Sequence, residues 1–262
     1  MSNPFYLITG TTGIAAATAL RAVRAGAAVH VASRSAEHVA ELVATLRAEG
    51  GDAAGTVAEL TRADDVERLV ADAWARCGRV DGLYNVAGIS GRRFGDGPIH
   101  ECTDQGWDTV MDANVRSMFL VCRAAVGRML AQSHDVHGLR GTVLNMASVL
   151  GKHPQRDFFA THAYAASKGA ILSLSRAMAA TYAPEGIRVN AIAPGLVRTP
   201  MSRRAQDDPA ILAHMRTKQP LAGGLIDADE VAKLSLFLLD PAQSAMVTGD
   251  ILSIDAGWGV SG

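Results

Sequence analysis

Short apolar runs alternate with longer stretches of helical period along this chain, and this alternation constrains the fold more than any other feature of the sequence. Between two such runs, the stretch 39–46 places its apolar residues at i, i+3, i+4 and i+7, the spacing of an amphipathic helix. Repetition of this unit predicts an α/β fold, a doubly wound parallel sheet of about seven strands with helices on both faces. The predicted strands are 5–9, 28–33, 53–58, 82–86, 142–147, 188–192 and 251–254.

Length and composition exclude several classes of protein. The chain has 262 residues, of which 48% are hydrophobic, and this is enough to bury a large core. No long Pro-, Gly- or Ser-rich linker interrupts it, so we predict one domain over residues 1–262. With 25 basic against 26 acidic residues, the chain has no global field that would attract nucleic acid or an anionic membrane, and we expect neither as a partner.

The cysteines and the N-terminal residues favour a cytoplasmic protein. Cys77, Cys102 and Cys122 lie far apart and form no C-x-x-C pair, which favours reduced thiols. The first apolar run follows no basic residue and is too short for a signal peptide or a membrane span. His134 and His137 are two candidate metal ligands without a third, so we predict no metal.

A glycine-rich turn follows the first predicted strand. Gly10, Thr12, Gly13 and Ile14 belong to this turn, which leads into an alanine-rich stretch of helical character. Glycines let the backbone turn tightly and bring a helix N-terminus up to a pyrophosphate, so these four residues are candidate dinucleotide-binding residues. A tight βα turn without any ligand would use the same residues, and the turn alone leaves both interpretations open.

The tip of the second strand bears on the choice of cofactor. About 20 residues beyond such a turn, a carboxylate would bind the ribose 2′-hydroxyl of NAD, whereas a basic residue accommodates the 2′-phosphate of NADP. Here the tip carries Ser33 and Arg34 and has no acidic residue in that place. We therefore predict NADP(H), with NAD(H) as the alternative if Arg34 only lies along the surface.

Four polar residues further along form a candidate catalytic set. Tyr164 and Lys168 stand at i and i+4 near the start of a predicted helix, so they share one face of it. Ser148 follows the fifth strand, and Asn114 lies in an earlier helical stretch. A Y-x-x-x-K match is common by chance, but all four residues in this order after a glycine-rich turn are much harder to obtain by accident.

With these residues, the chain resembles the short-chain dehydrogenase/reductase family over nearly its whole length. The pair of Tyr164 and Lys168 and the Pro-Gly segment 190–199 are the most specific matches. The resemblance implies a Rossmann-type fold and an NAD(P)-dependent oxidoreductase, which transfers a hydride between the nicotinamide and a ketone, an aldehyde or a secondary alcohol. The other matching segments are 9–10, 85–88, 247–249 and 255–257.

The resemblance also implies a role for each candidate residue. Tyr164 would be the general acid in carbonyl reduction and the base in alcohol oxidation, and Lys168 would lie against the nicotinamide ribose. Ser148 would hydrogen-bond the reacting oxygen, and Asn114 would support a proton-relay water. The cofactor would further contact Glu59 and Leu60 near the adenine, Asn85, Ala87 and Gly88 on the adenosine side, Pro194 and Gly195, and Val197 and Thr199 at the carboxamide.

Elementary electrostatics supports the pairing of Tyr164 with Lys168. A free phenol has a pKa of about 10. A positive charge about 4 Å away, at an effective dielectric constant of about 20, is worth roughly 4 kcal/mol, or about three pK units. We therefore expect Lys168 to lower the pKa of Tyr164 toward the pH at which a general acid and base works best.

The turn departs from the family's pattern. Only two residues separate Gly10 from Gly13, and an alanine, Ala15 or Ala16, stands where the last glycine would be. The extra methyl lies where turn and helix pack closely, so we expect the cofactor to bind more weakly or in a slightly shifted pose.

The loop between Ser148 and Tyr164 is longer than the family leads us to expect, and a loop this close to the reacting carbon would shape substrate choice. Our hypothesis is that Phe158 and Phe159 line the pocket while Arg156 meets a polar or anionic group. The alternative is an exposed insertion with one phenylalanine packed beneath it.

Further expectations follow from the resemblance. Residues 200–224 would form a substrate lid. Its paired charges, 203–204 and 207–208, either contact substrate or are solvated helix ends, and we favour the second interpretation. Helices around 107–129 and 164–182 would form the interface of a homotetramer or a homodimer. Two alternatives to an NADPH-dependent carbonyl reductase stay open: an NAD-dependent sugar or polyol dehydrogenase, and a non-catalytic sensor that binds a dinucleotide, which has no need of a tuned phenol.

Overall fold

Seven parallel strands form the central sheet, as the alternation along the chain predicts. The computed structural model describes residues 3–261. The strands are β1 (Phe5–Thr9), β2 (Ala28–Ser33), β3 (Ala53–Val57), β4 (Gly82–Asn85), β5 (Gly141–Met146), β6 (Ile187–Pro194), β7 (Val197–Arg198), β8 (Ile226–Asp227) and β9 (Ile251–Ile254). The main sheet has the order β3-β2-β1-β4-β5-β6-β9, while β7 and β8 pair separately.

Helices cover both faces of the sheet, which confirms the predicted doubly wound architecture. They are α1 (Ile14–Arg24), α2 (Ala36–Ala48), α3 (Ala63–Cys77), α4 (Asp104–Met111), α5 (Ser117–Ala131), α6 (His162–Tyr182), α7 (Arg203–Gln206), α8 (Pro209–Lys218), α9 (Ala228–Leu239) and α10 (Pro241–Ser244). Within residues 3–261, no helix combines the length and the apolar character needed to cross a membrane.

Strand β1 shows why the central strands read as continuous apolar runs. Phe5 and Leu7 pack into the core formed with α3, α5 and α6, whereas Tyr6 and Ile8 pack into the core formed with α1, α2 and α9. Successive side chains of a strand point to opposite faces of the sheet, and here helices bury both faces. An uninterrupted apolar run is therefore what this position requires.

The predicted bounds of β1, β2 and β9 match the observed ones, whereas those of β3, β4, β5 and β6 differ by one or two residues at an end. The largest difference is in β6, which extends through Pro194 instead of ending at Ile192. Its last two residues pair with Ser253 and Ile254 of β9, a contact between segments far apart in the chain. Such tertiary pairing lengthens a strand beyond what its own sequence indicates.

Strand order reverses beside β1, because β2 and β3 lie on one side of it and β4, β5 and β6 on the other. In open parallel sheets, a crevice forms at the carboxyl ends of the strands at such a reversal. Residues 200–224, which contain α7 and α8, lie over this end of the sheet. They pack on a third apolar cluster, formed by Val149, Ala205, Ile211, Met215, Leu225 and Trp258.

A short π-helical segment joins α4 to α5. It covers Asp112–Arg116, and Asn114 at its centre is fully buried. One extra residue in a helical turn rotates the side chains that follow, and segments of this kind occur often at functional sites. Here the segment turns Asn114 inward, toward the loop after β4.

Candidate active site

A cleft of about 770 Å³ opens at the carboxyl ends of β1, β4, β5 and β6. It brings together residues from the glycine-rich turn, the loop after β4, the end of β5, the start of α6 and the segment after β6. The predicted site residues that line it are Gly10, Thr12, Gly13, Ile14, Ala87, Gly88, Ser148, Tyr164, Lys168, Pro194, Gly195, Val197 and Thr199.

The glycine-rich turn places the N-terminus of α1 against this cleft. Gly10 and Gly13 both have positive φ, at 97° and 55°, which glycine adopts without the steric cost of a side chain. The backbone N–H of Gly10 donates to the carbonyl of Ala32 at 2.7 Å, so the turn is fixed to the neighbouring strand. No acidic residue occupies the first turn of α1, and the free N–H groups there favour a bound anion.

Close packing at the turn leaves no space for larger residues. A Cβ on Gly13 would lie 2.9 Å from the Thr199 Cγ2, closer than side chains approach in folded proteins. The methyl of Ala15, at the place of the family's last glycine, is fully buried and would meet a Cβ on Gly10 at 3.2 Å. The methyl of Ala15 therefore packs tightly against the bare Cα of Gly10.

Helix α6 is fixed at its start by a residue that sequence reasoning did not identify. The carboxylate of Asp96 accepts the backbone N–H groups of Ala163 and Tyr164, each at 3.0 Å. Asp96 is buried and far away in the chain, and nothing in the local sequence marks it as a helix cap. It locates the first turn of α6, and with it the phenol of Tyr164.

Lys168 is one turn further along α6, with its ammonium buried. Its Nζ donates to the carbonyl of Met146 at 2.9 Å, at the end of β5. Burial disfavours the charged form and lowers the pKa of Lys168 to about 8. An ammonium has three N–H donors, so two remain for groups bound in the cleft.

The expected lowering of the Tyr164 pKa by Lys168 does not occur in this structure. Burial of the phenol disfavours the phenolate and raises the pKa of Tyr164, and the Ser148 hydroxyl offsets this only in part. A lowered pKa would need a positive charge close to the phenol hydroxyl, whereas the Lys168 Nζ lies 5.6 Å from the ring centre and donates to the carbonyl of Met146. The site therefore holds a protonated phenol, the form that can donate a proton.

Asn114 lies behind the cleft and does not line it. Its Oδ1 accepts the backbone N–H of Ile89 at 2.7 Å, and its Nδ2 donates to the carbonyl of Ile89 at 3.1 Å and to the Ser167 hydroxyl at 3.0 Å. A Cβ on Gly88 would lie 2.8 Å from the same Oδ1. Asn114 thus joins the loop after β4 to α6, and one acceptor position of its amide oxygen remains.

The predicted adenosine-side residues lie around the edge of the cleft or beneath it. Arg34 is exposed at the end of β2, and the Ser33 hydroxyl accepts the backbone N–H of Ser35 at 3.1 Å. Glu59 accepts the N–H and hydroxyl of Thr61, at 3.2 and 3.0 Å. Within residues 3–261, the guanidinium of Arg34 forms no ion pair.

Asn85 and Leu60 are buried on the α5 side of the sheet. The amide of Asn85 donates to Asn145 Oδ1 at 3.0 Å and to Cys122 Sγ at 3.2 Å. Because side chains alternate along a strand, this last residue of β4 points away from the cleft. The sequence pattern identified the strand end but not the direction of its final side chain.

The loop between Ser148 and Tyr164 differs from the hypothesis based on its sequence. Phe159 lines the cleft and packs edge-on against Trp258, with ring centres 5.4 Å apart. Phe158 does not line the cleft, and Arg156 is exposed and lies outside it. The alternative, an exposed insertion with one packed phenylalanine, describes the loop better.

Three other arginines, Arg92, Arg93 and Arg204, line the cleft where the hypothesis had placed Arg156. All three are exposed to solvent, so Arg204 is solvated, as we expected of the charges around 203–204, and is also part of the cleft wall. Arg204 reaches the rim of the cleft because its neighbour Ala205 packs α7 into the apolar cluster with Val149 and Trp258. No motif in the sequence distinguishes these arginines from other surface residues, or Trp258 from other core residues.

Comparison with known proteins agrees with this architecture. A family model described as enoyl-(acyl carrier protein) reductase matches residues 8–259. The chain is 38% identical to the A-factor type gamma-butyrolactone 1′-reductase (1S-forming) of Streptomyces virginiae, over 98% of this chain and 96% of that protein. It is 35% identical to 2-(S)-hydroxypropyl-CoM dehydrogenase 3 of Xanthobacter autotrophicus, over 98% of this chain and 97% of that protein.

A solved structure shows the same fold. A single-residue variant of actinorhodin polyketide ketoreductase with NADPH superposes with a TM-score of 0.86 at 29% identity, and 98% of each chain is covered. The similarity in sequence and in structure thus extends over nearly the full length of the chain.

Proposed function

The chain belongs to the short-chain dehydrogenase/reductase family, and on this premise we propose that it reduces ketones or aldehydes with NADPH and oxidises the corresponding alcohols in reverse. It is an NAD(P)-dependent oxidoreductase acting on CH–OH and C=O groups, as its relatives are. The preference for NADPH and the roles of individual residues are the parts that we propose.

The observation that supports this function most strongly is the meeting of Ser148, Tyr164 and Lys168 in the cleft bordered by the N-terminus of α1. A protein that only sensed a dinucleotide could use Lys168 to bind the ribose, but it would gain nothing from a protonated phenol buried beside Ser148. The end of β2 also lacks the carboxylate that would favour an NAD-dependent sugar or polyol dehydrogenase. Neither alternative gains support from the site.

In the proposed mechanism, Tyr164 is the general acid. Its phenol, kept protonated by burial, gives its proton to the carbonyl oxygen of the substrate, and Ser148 donates a hydrogen bond to the same oxygen. When bound, the nicotinamide supplies the hydride. Lys168 binds the ribose through its free N–H groups and stabilises the phenolate that remains after proton transfer. Asn114 holds the surrounding loop and accepts a hydrogen bond from a water in the proton relay.

The cofactor is held by residues whose geometry fits it. Gly10, Thr12, Gly13 and Ile14 receive the pyrophosphate at the N-terminus of α1, where added side chains would collide with their neighbours. The opposite wall of the cleft holds the nicotinamide carboxamide. Residues proposed for that wall are Pro194, Gly195, Val197 and Thr199, and those on the adenosine side are Ser33, Glu59, Ala87 and Gly88. Leu60 and Asn85, expected there from the sequence, are buried on the α5 side of the sheet and are not among them.

Substitution of Tyr164 tests the proposed reaction. The assay follows the absorbance of reduced nicotinamide with NADPH and NADH in parallel, across neutral ketones, aldehydes, sugars and acyl thioesters. We expect Tyr164→Phe to lose at least about 100-fold in kcat, since general acid catalysis contributes this much, with unchanged cofactor affinity measured by fluorescence. Retention of most of the activity in this variant would show that the mechanism is wrong.

Arg34 is proposed to select NADPH through its 2′-phosphate. Its side chain is exposed at the end of β2 and forms no ion pair with another described residue. Arg34→Asp is expected to reverse the ratio of NADPH to NADH affinity, because an aspartate repels the phosphate and accepts the ribose hydroxyl. Tighter binding of NADH than NADPH by the unmodified protein would contradict the proposal.

The single domain 1–262 is proposed to close over its substrate with residues 200–224. Met201, Ser202, Arg204 and Ala205 line the cleft, and the segment packs on its own small apolar cluster. Such a segment can move without disturbing the two main cores.

We also propose that α4, α5 and α6 form a homotetramer or homodimer interface. Trp107 on α4 and Phe119 on α5 are exposed at 39% and 45%, and an interface on these helices would cover both side chains. Light scattering of the purified protein tests this, and a monomer at working concentration would contradict it.

A further inference from the structure

Two arginine side chains meet at a single oxygen atom at the substrate end of the cleft. Arg92, in the one-turn 3₁₀ helix after β4, donates from Nη2 to the carbonyl of Phe158 at 2.8 Å. Arg204 on α7 donates from its own Nη2 to the same carbonyl at 3.0 Å. Both side chains line the cleft that contains Ser148 and Tyr164. Two like charges held this close repel each other, and a bound anion would relieve the repulsion.

No carboxylate neutralises this pair. Within residues 3–261, neither Arg92 nor Arg204 forms an ion pair. Asp96 attracts Arg92, but its two oxygens already accept the N–H groups at the start of α6. Partial burial and, second to it, the charge of Arg204 lower the pKa of Arg92, while the charge of Asp96 opposes this shift.

The contact with Phe158 positions the two guanidinium groups without exhausting their donors. Phe158 has a φ of 62°, a conformation that non-glycine residues rarely adopt, and its carbonyl points between the arginines. A guanidinium has five N–H donors, and the contact uses one from each arginine. The remaining donors are available to a group with several acceptor oxygens.

The wall beside these arginines is apolar. Leu150, Phe159 and Trp258 line the same cleft, and Phe159 packs against Trp258. A substrate that extends from Tyr164 toward the arginines would therefore place a carbon chain against this wall and a charged end at the guanidinium groups.

Resting on the function proposed above, we propose that Arg92 and Arg204 form a subsite that binds an oxyanion. The preferred substrates are then oxo compounds that carry a carboxylate, phosphate or sulfonate group, separated from the carbonyl by an apolar segment. The subsite binds the non-reacting end of the substrate. It thereby sets which carbonyl compounds are reduced.

A series of matched substrates tests this inference. It consists of straight-chain oxo acids of increasing length, their methyl esters, and the corresponding oxoalkylphosphonates and oxoalkylsulfonates. The kcat/KM of each compound is measured with saturating NADPH. At the best length, we expect an oxyanion substrate to exceed its neutral ester by at least about tenfold, since charge-assisted hydrogen bonds are lost in the ester. The three anionic series show which oxyanion fits best. Equal values for acid and ester at every length, with no preference for a phosphonate or sulfonate, would overturn the proposal.

Variants of the two arginines test whether these side chains cause the preference for anionic substrates. Arg92→Gln and Arg204→Gln are each expected to lower the ratio of anionic to neutral substrate by about tenfold or more, mainly through a higher KM. Arg156→Gln removes an exposed arginine outside the cleft, in the loop that contains Phe158, and serves as the matched control with an unchanged ratio. If kcat/KM falls equally for acid and ester in the two cleft variants, these arginines only support the loop that contains Phe158. If the affinity for NADPH falls more than the ratio of anionic to neutral substrate, the arginines bind the cofactor. Either result would overturn the subsite.

The failure of this inference can be distinguished from failure of the proposed function. Turnover of ketones without any anionic preference rejects the subsite and leaves the reductase intact. Absence of turnover for every compound rejects the reductase. In that case, calorimetric binding of the oxo acids and phosphonates to the unmodified protein and to Arg204→Gln decides the subsite by itself: weaker binding by the variant supports it, and equal or absent binding rejects it.

Discussion

The backbone N–H of Tyr164 donates to the Asp96 carboxylate at 3.0 Å, although the two residues are 68 positions apart in the chain. The second oxygen of Asp96 accepts the N–H of Ala163, also at 3.0 Å. Thr161, the residue before α6, makes no side-chain cap of its own. Asp96 therefore supplies the cap from a distant loop, and its negative charge complements the positive end of the helix dipole.

Asp96→Ala is expected to lower the free energy of unfolding by about 1–2 kcal/mol, as loss of a helix cap does. It should also lower kcat by about tenfold or more, because the phenol of Tyr164 loses its fixed position. Urea denaturation and steady-state kinetics measure the two effects. Asp240→Ala is the matched control, because it removes the side-chain acceptor of Ala242 N–H at the start of α10, away from the cleft. Equal kcat in the two variants would contradict the positioning role of Asp96.

The pKa of Lys168, lowered to about 8, predicts the alkaline side of the pH profile. Below this pH the amine is charged and can bind the ribose, and above it the amine loses its charge. The pKa of Tyr164 is raised, so the phenol stays protonated over the same range. We therefore expect kcat/KM for NADPH, which reports ionisation of the free enzyme, to be level below about pH 8 and to fall above it.

Lys168→Arg tests whether this amine causes the decline, since a guanidinium keeps its charge throughout the accessible range. The decline of kcat/KM for NADPH should move to higher pH in this variant, even if its maximal kcat/KM is lower than that of the unmodified protein. A decline that stays in the same place would have to come from a different group.

Gly13→Ala is expected to weaken NADPH binding by about tenfold or more, because the added Cβ meets Thr199 at 2.9 Å in the proposed pyrophosphate turn. Gly13 also has a φ of 55°, so alanine adds backbone strain of about 1 kcal/mol. Gly78→Ala separates the two effects: Gly78 has a φ of 69° and ends α3, with no heavy atom within 4 Å of an added Cβ. Fluorescence titration should show weaker binding only for Gly13→Ala, and weakening in both variants would contradict this account.

Phe159→Ala is expected to change the relative kcat/KM across ketones of increasing bulk, because Phe159 lines the cleft beside Trp258. Phe158→Ala should leave these ratios nearly unchanged, since its ring lies outside the cleft and contacts His214. The adjacent pair thus provides its own control. Larger changes for Phe158→Ala would mean that the loop rearranges when substrate binds.

The local order of residues predicted the fold and much of the site. Both ends of strand β1 were predicted correctly, because a short apolar run between polar residues and a glycine turn fits few structures other than a buried strand. Gly10 and Gly13 marked the turn, and Tyr164 and Lys168 marked one helix face, because these signals come from residues close together in the chain.

The features that could not be predicted from the sequence depend on contacts between residues far apart in the chain. The interactions of Asp96 with α6 and of Arg92 and Arg204 with Phe158 join segments that the sequence keeps apart. The side chain of Asn85 points away from the cleft because of its register in the sheet, which its residue type does not specify.

The sequence by itself determined the alternation of strands and helices, the glycine turn and the order of the candidate catalytic residues, because each depends on short-range backbone preferences and side-chain periodicity. Only the tertiary structure decided the protonated state of Tyr164, the lowered pKa of Lys168 and the meeting of two arginines at one carbonyl. The physical reason is that burial and proximity are properties of the packed chain, and they set the energy of a charge more strongly than its neighbours in sequence do.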